Sequence, residues 1–163
     1  MTPSATLHFT LDNNVTKAAS YAPAAVDFKL HRFSQLTITL NIVAAERDSA
    51  NETYDFYIIN GDGFSEWDIV HFPQVITTGA KSFTAKVIAN SLPQNVTSAA
   101  PGVAANDPSI IQTNSGALNA PKSLTAGSVR HGPFGGTLRY ELVAAGTIAT
   151  GIQYSIVVTA TSS

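Results

Sequence analysis

The chain of 163 residues contains no cysteine. That excludes disulfides, thiolate catalysis and cysteine-based zinc sites, but it leaves the compartment open. Charge is scarce as well. Asp, Glu, Lys and Arg together make up 12% of the residues, about half the usual share for a soluble domain. The few cations are scattered and the net charge is −2. With no basic stripe, nucleic-acid binding through phosphates has no footing. No apolar run approaches the roughly 20 residues of a membrane-spanning helix, so no membrane partner is expected. Met1-Thr2-Pro3-Ser4 lacks a charged n-region and an apolar h-region. The expectation is synthesis in a cytoplasm, or a signal already removed. Catalytic signatures are missing too. There is no His-x-His or His-Glu-x-x-His spacing, no Gly-x-Ser-x-Gly elbow, and no glycine-rich phosphate loop opening a helix.

What the chain does have is two-residue alternation. Leu36, Ile38, Leu40 and Ile42 alternate with Thr37, Thr39 and Asn41. Leu138, Tyr140 and Leu142 alternate with Arg139 and Glu141, and Tyr154, Ile156, Val158 and Ala160 repeat the pattern near the end. Successive strand residues point to opposite faces, so each such run has one buried face. Further strands are expected at Leu7–Phe9–Leu11, Val26–Phe28–Leu30 and Phe83–Ala85–Val87. Asp12-Asn13-Asn14 reads as a turn after the first. Asn60-Gly61-Asp62-Gly63 is the strongest turn signal and makes residues 53–72 a hairpin. In its second arm Trp67, Ile69 and His71 share a phase. Helical periodicity is lacking throughout.

Residues 93–123 differ. They hold Pro93, Pro101, Pro108 and Pro121 amid Ala, Asn, Ser and Gly, and read as one long loop with Ile110 and Ile111 as apolar anchors. Residues 127–136 read as a rigid, glycine-flanked turn carrying Arg130, His131 and Phe134. The expected fold is an all-β, single-domain two-sheet β-sandwich over residues 1–163, Ig-like or jelly-roll, with about 8–10 strands. Phe28, Leu40, Phe56, Leu138 and Ile156 are the expected core.

Candidate chemistry is thin. Asp55, Asn60, Asp62, Glu66 and Asp68 crowd the hairpin, and oxygen ligands close in sequence can bind Ca²⁺. Asn, Asp and Gly serve equally to supply the backbone angles of a tight turn, and that reading is preferred. Glu66 and Asp68 flank Trp67 on one strand face, as a glycosidase pair would, but a solvated face around a buried Trp explains them better. Three Asn-x-Thr sequons, at Asn14, Asn51 and Asn95, fit chance in a chain rich in Asn and Thr. No catalytic residue, cofactor site or metal site is expected. If Tyr54 and Phe56 face the core, Tyr57 faces out, either as an interface or sugar-stacking aromatic or as part of a second buried face beneath the 93–123 loop. The candidate interface residues are therefore Tyr57, Ile110, Ile111, Arg130, His131 and Phe134.

Residues 53–75, TYDFYIINGDGFSEWDIVHFPQV, together with residues 128–134, SVRHGPF, resemble small structural proteins encoded beside the major capsid protein of tailed phages. Capsid decoration, or cement, proteins of such phages are small Cys-free β-domains that sit on the capsid lattice, often as trimers, and clamp neighbouring capsomers. The resemblance implies a non-enzymatic virion protein made in the host cytoplasm. It also implies the major capsid protein or another virion protein as partner, and a homo-oligomer with a trimer favoured. It brings no catalytic residue. The competing expectation is a carbohydrate-binding or adhesive β-sandwich of a phage tail or secreted protein, stacking sugars on Tyr57 or Trp67.

Overall fold

The alternating runs become strands because each has an apolar phase that a second sheet can cover. The structure, a computed structural model, describes residues 5–89, 94–97 and 124–162. Within them lie β1 (Thr6–Lys17), β2 (Val26–Asp27), β3 (Gln35–Ala45), β4 (Thr53–Gly61) and β5 (Glu66–His71). Then come β6 (Lys81–Ile88), β7 (Gln94–Thr97), β8 (Ser128–His131), β9 (Thr137–Ala145) and β10 (Ile152–Thr161). The one helical element among the described residues is a single 3-10 turn at Leu30–Arg32. One sheet has the order β1-β10-β3-β6 and the other β2-β9-β4-β5-β8-β7, with every pairing antiparallel. The architecture is a two-sheet β-sandwich.

The inner faces follow from the register. Leu36, Ile38 and Leu40 of β3 lie beside Ala160, Val158 and Ile156 of β10, and all six are wholly buried. From the other sheet Tyr54, Phe56 and Ile58 face them beside Leu142 and Tyr140. Burying a side chain of this size contributes about 1.5–3 kcal/mol. Where the sheets meet, Phe56 sets its edge against Tyr154, with ring centroids 4.8 Å apart. The Tyr140 and Tyr154 hydroxyls bond across the gap at 2.7 Å, and the Tyr140 hydroxyl donates to Asp12. Burial raises both phenols above their ordinary range, and the Asp12 carboxylate beside Tyr140 adds to the effect. The two rings therefore stay neutral and hydrogen-bonded.

Connections are fixed by side chains at the sandwich ends. The Glu46 carboxylate accepts from the backbone of Ala149, Thr150 and Gly151 and from the Thr150 hydroxyl. Those hydrogen bonds hold it down at about 2. The turn between β9 and β10 is thereby tied to the end of β3.

Several expectations need correction. Asp12-Asn13-Asn14 is no turn: β1 runs through it with two register shifts, and Asn14 takes the left-handed conformation, φ 52°. A short polar residue tolerates that angle, so the extra residues are absorbed as bulges. Only Val26–Asp27 of the 26–30 run is strand, because Lys29 is left-handed at φ 57° and starts the 3-10 turn. Phe28 is consequently half-buried, stacked on Phe9 at 3.9 Å, whereas Leu40, Phe56, Leu138 and Ile156 are fully buried. Residues 94–97 of the long loop are a strand paired with β8, and 128–131 of the supposed turn are that partner.

Candidate functional site

Two features stand out from the plain sandwich: the tip of the β4–β5 hairpin and the outer face of the six-stranded sheet.

The hairpin tip presents Phe64, 90% exposed. Its platform is rigid. Asp62 Oδ1 accepts the N–H groups of Phe64 and Ser65 at 2.8 and 2.7 Å, and Asp62 N–H donates to Ser65 O at 3.2 Å. Those backbone donors hold the Asp62 carboxyl below the usual carboxylate range. Gly63 supplies the positive φ of 96° that the turn requires. Asp62 thus works as a turn residue, which settles its role locally. Behind the tip, Asn60 stitches the 132–136 turn to β4. It donates to Thr137 O at 2.6 Å and accepts from Gly135 N at 2.8 Å. A side chain at 135 would put its Cβ 2.0 Å from Gly61 O, so only glycine permits that approach. A large apolar ring held in water by a braced turn is ready to enter a partner's pocket at little entropic cost.

The outer face of the six-stranded sheet carries charge that is not solvated. Arg130 of β8 is 2% exposed and Asp68 of β5 is 0%. Arg130 Nη2 donates to Asp68 Oδ1 at 2.9 Å and its Nε to Asp68 O at 3.0 Å, while Asp68 Oδ2 accepts Leu124 N–H at 2.7 Å. Arg139 of β9 bonds both oxygens of Glu66, at 2.8 and 2.7 Å, and one of Glu141 at 2.7 Å. Burial would lower the Arg139 guanidinium, but the two carboxylates outweigh it and raise it.

His71 sits between acceptors. One ring nitrogen meets Leu124 O at 2.8 Å and the other meets Asp55 Oδ1 at 2.9 Å. Burial pushes the Asp55 carboxyl up, but hydrogen bonds from His71 and Gln74 prevail and hold it low. Both ring nitrogens are thus held by oxygens of the chain itself, which fixes the ring between Leu124 and Asp55. The neighbouring Ser128 hydroxyl bonds Thr125, not His71. Leu124 is gripped through both backbone groups where the chain returns to β8.

The candidate interface residues fall in different places. Tyr57 does lie on the outer face, but its ring stacks on His71 at 4.0 Å and is half-buried. Burial and the acids around it push its phenol up to about 12. Arg130 and Phe134 are buried within the single chain. His131 is half-buried, and its Nδ1 accepts the Ile88 N–H at 3.0 Å. Burial lowers its pKa below the ordinary histidine value. Ile110 and Ile111 lie outside the described residues.

Two further readings change. The platform expected for sugars is taken, since Trp67 packs into the core at 8% exposure and Tyr57 faces His71. The Glu66–Asp68 pair does flank a buried Trp67, yet both carboxylates are bound to arginines rather than solvated.

Segments 53–75 and 128–134 do meet, through the β5–β8 pairing and the Arg130–Asp68 ion pair. Phe64 was missed because a residue between turn positions belongs to no strand phase. The signal was its position, a lone Phe directly after Asn-Gly-Asp-Gly. Comparison with protein-family models, curated proteins and solved structures finds no match for this chain.

Proposed function

We propose that this protein is a non-enzymatic virion structural protein, a capsid decoration protein that binds between capsomers and stabilises the shell. The observation that carries the reading is Phe64, 90% exposed on a turn braced by Asp62 and Asn60. A binding anchor of this kind is an aromatic that is rigid before binding and fully desolvated after it. The low charge of the chain supports the same reading, because few long ionic side chains need desolvation or ordering on contact. The side chains of His71, Asp68, Arg130 and Arg139 are committed to internal bonds, which suits a scaffold better than a reaction centre. Self-association, with a trimer favoured, belongs to the proposal.

The test is co-sedimentation with capsids assembled from the major capsid protein of the phage whose genome carries this gene, with light scattering on the free protein; a gene outside any phage genome would overturn the proposal. Phe64→Ser should leave the melting temperature nearly unchanged, since the ring is exposed. It should weaken capsid binding by about thirtyfold, the effect of losing an anchor worth about 2 kcal/mol. Wild-type protein that stayed strictly monomeric and left capsids bare would overturn the proposal. So would full binding by the Phe64→Ser variant, as far as the anchor is concerned.

A further inference from the structure

The edge of the four-stranded sheet at β6 is half closed. Ile88 N–H donates to His131 Nδ1 and Ile88 O accepts from Gly132 N–H. Both backbone groups of Ile88 thus point away from β3, although Ile88 lies opposite Gln35 in the register. In an antiparallel pair such residues alternate with bonded ones. The register of β3 and β6 runs without a shift down to Ile42 and Lys81. The N–H and C=O groups of Lys86, Thr84 and Ser82 therefore also point outward. A groove of about 430 Å³ lies beside these three residues. Its other walls are apolar in large part, formed by Val70, Phe72 and Val129, with Phe83 and Ala85 on the β6 side.

We propose that this groove binds an extended, acidic peptide segment of a partner protein, added as a strand to β6. Three observations define the occupant. Outward backbone groups at every second residue fit only an extended backbone, and strand addition satisfies them in a ladder. Apolar walls receive alternate aliphatic side chains. The charge is one-sided: Lys86 is exposed, makes no ion pair among the described residues, and no carboxylate lines the groove. A glutamate on the added strand opposite Lys86 supplies the missing partner. The three open residues span about five positions, so a segment of roughly 17 Å suffices at about 3.4 Å per residue. The site is separate from Phe64 and stands whether or not that residue anchors the protein.

The test uses an acetylated, amidated peptide alternating valine with glutamate and threonine, and a second peptide with lysine in place of glutamate. Full-length protein is titrated with each by NMR, and amide exchange is followed at Ser82, Thr84 and Lys86. The acidic peptide should bind saturably and slow exchange at those three amides, and the lysine peptide should bind at least about tenfold more weakly. Thr84→Pro removes an outward N–H, which an edge strand tolerates, along with the side-chain hydroxyl, and should cost about tenfold in affinity, the effect of one lost backbone hydrogen bond. Thr84→Val keeps that N–H while removing the hydroxyl that bonds Thr39, and should bind like the wild type. No saturable binding at millimolar peptide would overturn the proposal. Binding without amide protection would overturn strand addition even if Thr84→Pro failed to fold. Equal binding of both peptides would overturn the acidic preference.

Discussion

On the four-stranded sheet the outward phase of β3 reads Thr37, Thr39 and Asn41; on the six-stranded sheet the outward phases of β4, β5 and β9 include Asp55, Tyr57, Glu66, Asp68, Arg139 and Glu141. The first face is partly open to water and is held by neutral pairs. Thr39 and Thr84 hydroxyls lie 3.0 Å apart, and Ser82 donates to Asn41 at 2.7 Å. The second is buried at Asp68, Arg139 and Glu141 and half-buried at Asp55, Tyr57 and Glu66, and its charges pair with one another and with the backbone of Leu124. One kind of alternation has produced a washable surface and a buried polar layer. Small hydroxyls hydrogen-bond as well to water as to each other, so their net contribution is modest. Charges taken out of water must be paired or the fold loses about 3–5 kcal/mol of stability.

The largest expected effect breaks that contrast at its strongest point. Arg130→Met leaves Asp68 buried with one carboxylate oxygen stripped of its cation. It should cost about 3–5 kcal/mol, the usual penalty for removing one partner of a buried pair. The double change with Asp68→Leu should recover much of that, since an apolar pair of similar volume carries no uncompensated charge. Urea unfolding midpoints of the two variants decide it. A single variant as stable as the wild type would mean the face is wetter than the structure has it.

Acid should expose the same asymmetry more gently. His131, lowered by burial, takes up protons in the unfolded chain first. Stability is therefore full above 6.5 and declines as pH falls through the lowered value. Asp55, Asp62 and Glu46 are also lowered. Their contribution is present above the ordinary carboxylate values near 3.8 and 4.5 and is lost as pH falls toward about 2 for Glu46. Denaturant midpoints measured from neutral to acid pH should show both steps. Asp55→Asn on the charged face and Glu46→Gln at the sandwich end should each flatten the lower one. The outward phase of β3 and β6 carries no carboxylate, and changes there should leave the pH profile untouched.

The smallest effect belongs to the neutral face. Thr39→Ala should stay within about 0.5 kcal/mol of the wild type, as surface substitutions usually do. A loss beyond about 1 kcal/mol in thermal unfolding would show that the hydroxyl pairs are part of the framework, and would erase the difference between the faces.

Much of the frame was legible in the residues. The β3 and β10 runs keep their alternation over eight or more positions, β4 keeps it from Thr53 to Ile58 and β9 from Thr137 to Leu142, and their inward residues are the core. Legibility failed where one residue was added or dropped. A shift between Ile58 and Ile59 against β5 moves His71 from the phase of Trp67 to that of Asp68. A single extra residue flips every later side chain to the other face, and no local composition marks it. The 127–136 segment reads in sequence only as a glycine-flanked turn; its burial rests on contacts the sequence does not mark, Gly135 closing against Gly61 beside Phe134 and Arg130 pairing with Asp68.

By itself the sequence determined the all-β class, the hairpin at Asn60-Gly61-Asp62-Gly63 and the apolar phase of the long strands. These rest on side-chain period and turn chemistry, which act between near neighbours. Only the tertiary structure decided which polar phase would be buried, because that depends on partners far along the chain. Arg130 meets Asp68 across 62 positions and Arg139 meets Glu66 across 73. Tertiary structure also decided which edge stays open, because Ile88 finds His131 and Gly132 while the side of Lys86, Thr84 and Ser82 away from β3 meets no strand among the described residues.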